Sequence, residues 1–295
     1  MVNYKIFSDS SCDIPAEYVK KYDIGLIPFS VSFDKTHYLK DGVDIQADEF
    51  YDKITKDGVY ASTSLPSVDE YINKFTESVK NGVSVICFTL SKFLSGSYQA
   101  AVTAKNILLE DYPDAEIEVI DSMAATAEQG VVVLQSAKMK EAGYSFLQNI
   151  AKIKELMPTS GIQFMVGNLT HLQKGGRIGK AASLAGNILN IKPLLEFKMG
   201  ELLPAGIARG KKKAFERIIE ATKKHFSETG EKVEDYDFVT GYGASKEELF
   251  QLNDMLEKFI GRKIEYPFFR IGITVGNHTG PSVWGLGFVK RFDAE

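Results

Sequence analysis

Short apolar runs alternate with longer amphipathic stretches through the first half of the chain, the pattern of strands separated by helices. Lys5 to Ser8 reads as a strand. A polar turn, Asp9 to Asp13, follows, and Pro15 opens a helix where its missing N–H is tolerated. Ile24 to Phe33 reads as one strand, Phe33 to Asp44 as an irregular hairpin, and a helix starts at about Ala47. Ser67 and Glu70 are spaced as a capping box opening a helix that runs to Lys80. Val83 to Leu90 has the length and apolarity of a buried strand. Ser97 to Tyr112 is helical, Ile117 to Ile120 a strand, and Ala124 to Ala142 a helix. A second box, Ser145 with Gln148, opens a helix that ends near Met157-Pro158. The repeated alternation predicts a doubly wound, mostly parallel sheet.

The pattern changes after Pro158, so the expected boundary divides an α/β domain, 1–158, from an α+β domain, 159–295. Ile162 to Val166 reads as a strand leading into a Gly-rich turn and a helix. Ile191 to Ala208 reads as two strands around Met199-Gly200, a hairpin turn. An amphipathic helix runs from Lys211 to about Phe226, Tyr236 to Tyr242 is a strand, and Ser245 to Ile260 is a helix. Ser245 with Glu248 would cap that helix, and Gly261 would end it. From Lys263 onward strand and loop are mixed.

Composition narrows the function. The 295 residues are 44% hydrophobic, enough for a substantial core, and a net charge of −4 argues against a general grip on nucleic acid. No run approaches the ~20 apolar residues of a membrane helix. The start, Met1-Val2-Asn3-Tyr4-Lys5, lacks the form of a signal peptide. Cys12 and Cys87 lie far apart and read as reduced thiols of a cytoplasmic protein.

Two Ser/Thr-rich turns precede helical patterns: Ser62-Thr63-Ser64-Leu65-Pro66-Ser67 and Leu94-Ser95-Gly96-Ser97-Tyr98-Gln99. Hydroxyls and free N–H groups at a helix start can hold a small anion. The same residues also serve as ordinary caps and turn formers. Thr63 and Ser95 are the hydroxyls best placed to share one acidic head group. Neither turn carries a base, which points to binding rather than chemistry. Gln173-Lys174-Gly175-Gly176-Arg177-Ile178-Gly179-Lys180 fails as a phosphate loop. Lys174 stands where the first Gly is required and Ala181 where the Ser/Thr is. Arg177 could reach an anion or a partner, or sit in solvent. His278, in the polar stretch Asn277-His278-Thr279-Gly280-Pro281-Ser282, could hydrogen-bond a carboxylate or act as a base. His37, His171 and His225 show no metal-ligand spacing. A Gly-x-Ser-x-Gly elbow is missing, though a Ser95–His278–Asp triad stays open because triad members need not be close in sequence. Gly241-Tyr242-Gly243 lacks the third Gly of a dinucleotide loop. The basic run Arg209-Gly210-Lys211-Lys212-Lys213 reads as a solvated helix start or a docking patch.

Taken in order, these segments resemble the DegV family of bacterial fatty-acid-binding proteins over nearly the whole chain. The resemblance rests on Asp9-Ser10-Ser11-Cys12-Asp13-Ile14-Pro15, Thr63-Ser64-Leu65-Pro66-Ser67 and Leu94-Ser95-Gly96-Ser97-Tyr98-Gln99. In the second half it rests on Lys174-Gly175-Gly176-Arg177-Ile178, Asn190-Ile191-Lys192-Pro193 and His278-Thr279-Gly280-Pro281. It implies an N-terminal α/β domain and a C-terminal α+β domain with a fatty acid between them. It implies that Thr63 and Ser95 hydrogen-bond the carboxyl group, with His278 close by and Ser64 and Ser97 behind. Arg177 and Arg209 would face a partner, a fatty acid kinase that phosphorylates the presented ligand to an acyl-phosphate. The implied ligand is a long-chain acid such as palmitate, stearate or oleate, with no cofactor, no metal and no catalytic residue in this chain. Contact with a membrane surface would be transient at most. Alternatives are a Ser-dependent lipid hydrolase or acyltransferase, and a carrier of another anionic lipid. Three residues depart from the family pattern: Glu128, expected to alter the pocket wall, Ser282, expected to stiffen the loop bearing His278, and Leu65.

Overall fold

The computed structural model describes residues 3–184 and 191–294. In chain order, the first part contains strand β1 (Tyr4–Asp9), helix α1 (Ala16–Lys21), β2 (Gly25–Ile27), β3 (Ser30–Ser32) and β4 (Leu39–Lys40). Then come α2 (Ala47–Lys56), β5 (Ser62–Ser64), α3 (Val68–Lys80), β6 (Ser84–Thr89), α4 (Ser97–Asp111), β7 (Ile117–Asp121), α5 (Thr126–Glu141) and α6 (Phe146–Leu156). The second part contains β8 (Gly161–Val166), α7 (Thr170–Lys174), β9 (Ile191–Lys198), β10 (Glu201–Arg209), α8 (Lys211–Thr229) and β11 (Tyr236–Tyr242). It closes with α9 (Leu249–Ile260), β12 (Phe269–Arg270), α10 (Ile273–Thr279) and β13 (Val283–Lys290).

The strands form a four-stranded parallel sheet, β2-β1-β6-β7, a six-stranded mixed sheet, β10-β9-β8-β13-β11-β12, and a small antiparallel sheet, β4-β3-β5. Period-two alternation explains how the parallel sheet is covered on both faces. Phe7, Val85, Cys87 and Val119 point to the cluster under α3 and α4. Ile6, Ile86, Phe88 and Ile120, from the same strands, point the other way, toward α5. The mixed sheet divides likewise. Ile162, Phe164, Val239 and Val283 face α5, whereas Met165, Phe238, Leu286 and Phe288 face α8 and α9. Helix α5 therefore lies between the two large sheets. It buries every residue except Lys138, Lys140 and Glu141, as a helix of the interior must.

Both capping boxes form as the spacing predicts, Ser67 with Glu70 and Ser145 with Gln148. At the Met199-Gly200 turn both residues have positive φ (52° and 82°), the twist a two-residue hairpin requires. Two expectations change. Ile24 to Phe33 is not one strand: it breaks around Pro28, which has no N–H for a ladder. The pieces join different sheets, β2 the parallel one and β3 the small one. Ser245 does not cap α9. Its hydroxyl donates to Glu247 Oε2 (2.8 Å), and the helix begins four residues later at Leu249. Of the segments carrying the family resemblance, Asn190 lies outside the described residues.

Candidate functional site

A cavity of about 220 Å³ opens between the parallel sheet, the mixed sheet and the small sheet. Its wall is mostly apolar, from Phe29 and Leu90 on one side and Ile162, Phe164, Phe197 and Leu202 on the other. Thr63, Ser64, Ser95, Arg177 and His278 also line it, so five of the residues singled out from sequence meet at one place. Thr63, Ser95 and His278 arrive on different kinds of support. Thr63 is in β5, held by pairing with Val31 of β3, and so lies in a strand rather than just before a helix. Ser95 sits in the turn before α4, where its Oγ accepts the Ser97 N–H at 3.2 Å. His278 is in the last turn of α10, not in a loop. Ser282 lies beyond that helix, and a Cβ on Gly167 would meet its Cβ at 2.8 Å.

The turn carrying Ser95 is anchored by a buried carboxylate. Asp9, at the end of β1, accepts from the Leu90 N–H (2.7 Å), Ser97 Oγ (2.7 Å), Ser11 Oγ (2.6 Å) and Gln129 Nε2 (3.0 Å). Burial raises its proton affinity and these four donors lower it, with a net rise. Ser97 also bonds the Tyr71 hydroxyl at 2.6 Å and is fully buried, so it supports Ser95 from behind and meets no partner. Asp9 lies in a motif quoted for the resemblance, but only the fold reveals that it holds the turn.

His278 Nε2 is 3.0 Å from Thr63 Oγ1, and its Nδ1 is buried without a partner among the described residues. Burial, with Arg177 and His171 nearby, lowers its proton affinity to a pKa of about 4, so the ring is neutral at pH 7. Gly175 packs against this ring: a Cβ there would lie 2.1 Å from Nδ1, so only glycine lets α7 approach. Arg177, exposed, donates from Nη1 to Gly175 O (2.7 Å) and from Nε to Leu94 O (3.2 Å). It thereby ties the glycine turn after α7 to the serine turn before α4. Ser91 adds a second tie, its hydroxyl donating to Gly200 O at 2.7 Å. Ser64 is exposed at the cavity, and Arg209 is exposed at the end of β10, outside the cavity wall.

A serine-hydrolase triad is not assembled. Ser95 Oγ bonds the Ser97 amide, His278 Nε2 bonds Thr63, and His278 has no carboxylate partner among the described residues. Among those residues no group of three His, Cys, Asp or Glu side chains is placed for a metal ion. No helix among them is long and apolar enough to cross a membrane. Cys12 lies in the short helical turn Ser10–Cys12, as its polar neighbours predict, but is buried beneath α5, and burial pushes its thiol up to about 12, which leaves it unreactive. Glu128 does not line this cavity; its neighbour Ala127 does. Thr126 and Thr274 are on the wall and were not foreseen. The backbone of Thr126, with φ of +49°, is one signal that only the structure provides.

The model of a family described as uncharacterised proteins of the DegV family matches residues 3–291. A DegV domain-containing protein of Clostridium perfringens is 33% identical over 98% of this chain and 98% of its own. A solved structure from Eubacterium ventriosum, described as a stearic-acid-binding protein, superposes with a TM-score of 0.93. It is 40% identical and covers 98% of this chain and 99% of that one. A DegV family protein of Thermus thermophilus, described for its fatty acid binding, is 26% identical with a TM-score of 0.88, covering 98% and 100%. The matches extend over nearly the whole chain, both large sheets included, and the chain belongs to the DegV family.

Proposed function

We propose that this chain binds one long-chain fatty acid and presents it to a separate fatty acid kinase. The observation that carries the reading is an apolar cavity whose polar wall is built from hydroxyls, a neutral imidazole and Arg177, whose guanidinium is already bonded to the Gly175 and Leu94 carbonyls. Its support from relatives is that the Eubacterium ventriosum and Thermus thermophilus proteins are described as binding fatty acids. In this reading the acyl tail lies against Phe29, Leu90, Phe164 and Phe197, where each buried CH₂ contributes about 0.8 kcal/mol. The hydroxyls of Thr63 and Ser95 donate to the carboxylate. The imidazole tautomer with its proton on Nε2 donates to Thr63 Oγ1, which leaves the Thr63 proton free for the ligand. Hydroxyls orient the head group without neutralising it, so its oxygen remains a nucleophile for phosphoryl transfer on the kinase. Arg177 and Arg209 face that partner, and the catalyst is the kinase. The setting is cytoplasmic, with at most passing contact with a membrane surface and none with nucleic acid.

The test is to purify the protein gently, extract it with organic solvent and identify the lipids by mass spectrometry. Near-stoichiometric free fatty acid is the expected result. Another anionic lipid in its place would redirect the ligand assignment. An empty extract, with no uptake of added fatty acid, would refute it.

A further inference from the structure

A second cavity, about 580 Å³, adjoins the first, and Phe197 belongs to the wall of both. The border follows the chain closely. On α5, Ala127 lines the first cavity and Glu128 the second; at the start of β8, Ile162 lines the first and Gly161 the second. On the first side of this border the wall is apolar. On the second it includes Ser122, Ser160, Gln163 and Glu196.

Glu128 is 3% exposed. Its Oε1 accepts from Ser160 Oγ at 2.8 Å, while Oε2 is buried without a hydrogen-bond partner among the described residues. Burial raises its pKa to about 8, so at pH 7 the group is chiefly the neutral acid, which can both donate and accept. An orphaned polar atom next to an apolar cavity calls for a polar partner. Phe197 is the partition. It is only partly buried, faces Ile162 and Leu202 across the sheet, and stacks on Phe164 at 6.2 Å between ring centroids.

We propose that the site accepts fatty acids bearing a hydroxyl or keto oxygen near the tail end, and that Glu128 recognises this oxygen past Phe197. The inference rests on the fatty-acid reading above and refines its ligand class. A hydroxyl at the tail end would otherwise enter an apolar pocket without a partner, a loss of tenfold or more in affinity.

Competition against a fluorescent fatty-acid probe, with palmitic acid and its ω-hydroxy derivative as competitors, tests it. In the wild type the two acids are expected to bind within about threefold of each other. In Glu128→Leu the ratio of hydroxy-acid to parent affinity should fall about tenfold, and Glu128→Gln should restore most of it. Phe197→Ala, which removes the partition, should raise that ratio. A wild type that rejects the hydroxy acid by about a hundredfold would overturn the inference while leaving fatty-acid binding intact. So would an equal ratio in wild type and Glu128→Leu. If neither acid displaces the probe from the wild type, the fatty-acid reading falls and this inference with it. The wild-type comparison decides the matter even if Glu128→Leu does not fold.

Discussion

Glu128 also makes a prediction about the empty protein. Its ordinary pKa of 4.5 is raised to about 8 by burial, against one hydrogen bond from Ser160 that lowers it. The folded state therefore holds a proton that the unfolded chain releases between those two values. Stability from this group is complete below about pH 4.5, is lost as pH rises, and is gone above about 8. At about 1.4 kcal/mol per tenfold change in proton affinity, the interval sets a ceiling of roughly 5 kcal/mol. Side-chain movement and water entry lower this, so a loss of ~2–4 kcal/mol is expected, a large part of the ~5–15 kcal/mol that stabilises a typical domain. Asp9, which is buried, and Asp13 and Asp41, which are partly buried, are raised too and bend the curve the same way. The informative quantity is thus the difference between wild type and Glu128→Gln, which keeps the shape and the Ser160 contact but cannot ionise. Urea unfolding at intervals from about pH 5 to about 8.5 measures it. The variant should gain on the wild type steadily as pH rises. Parallel curves would refute the assignment of a buried, protonated carboxyl at this position.

Four further outcomes are expected. Ser95→Ala and Thr63→Ala should each weaken fatty-acid retention by ~1.5–3 kcal/mol at little change in thermal midpoint, and unchanged affinity in both would remove the head-group assignment. His278 has its pKa lowered to about 4 by burial, so the wild type should lose stability as pH falls from about 6.5 toward 4, and His278→Gln should lose less in that window of an acid-unfolding series. Ser67→Ala should cost about 1 kcal/mol in chemical denaturation, whereas Ser245→Ala should stay within about 0.5 kcal/mol; a reversal would restore the sequence-derived cap over the observed one. Arg209→Ala should leave fatty-acid affinity intact and weaken coupling to the kinase, and equal acyl-phosphate formation by the two proteins would sink that role.

What could be read from the chain was what local chemistry decides. The two capping boxes and the Met199-Gly200 turn need only neighbours within a few residues, so spacing alone was enough. Thr63, Ser95 and His278 were legible as types, through motifs, but not as a constellation. Their meeting depends on β5 pairing with β3 and on α10 reaching over from beyond residue 270. Ser245 misled because Ser and Glu three apart also occur where the chain has not yet entered a helix. Asp9 was hidden for another reason. Its partners Leu90, Ser97 and Gln129 lie some eighty or more residues away, and no spacing rule joins them. The apolar wall was equally illegible, since Phe164 and Phe197 look like any strand residues until the sheet shows which face they share.

Helix α5, with sheets on both sides, also bears on how this protein can change over generations. Ala127 borders the cavity, while its neighbours along the helix support the core shared by the two sheets. An added methylene in such a place forces shifts on several sides at once and typically costs ~1–3 kcal/mol. Phe197 and Leu202 border the same cavity from β9 and β10, the outer pair of their sheet. There a new side chain can be absorbed by an edge that has no further strand beyond it among the described residues. Cavity shape should therefore drift between lineages mostly through these two strands, with the helix acting as the conservative wall.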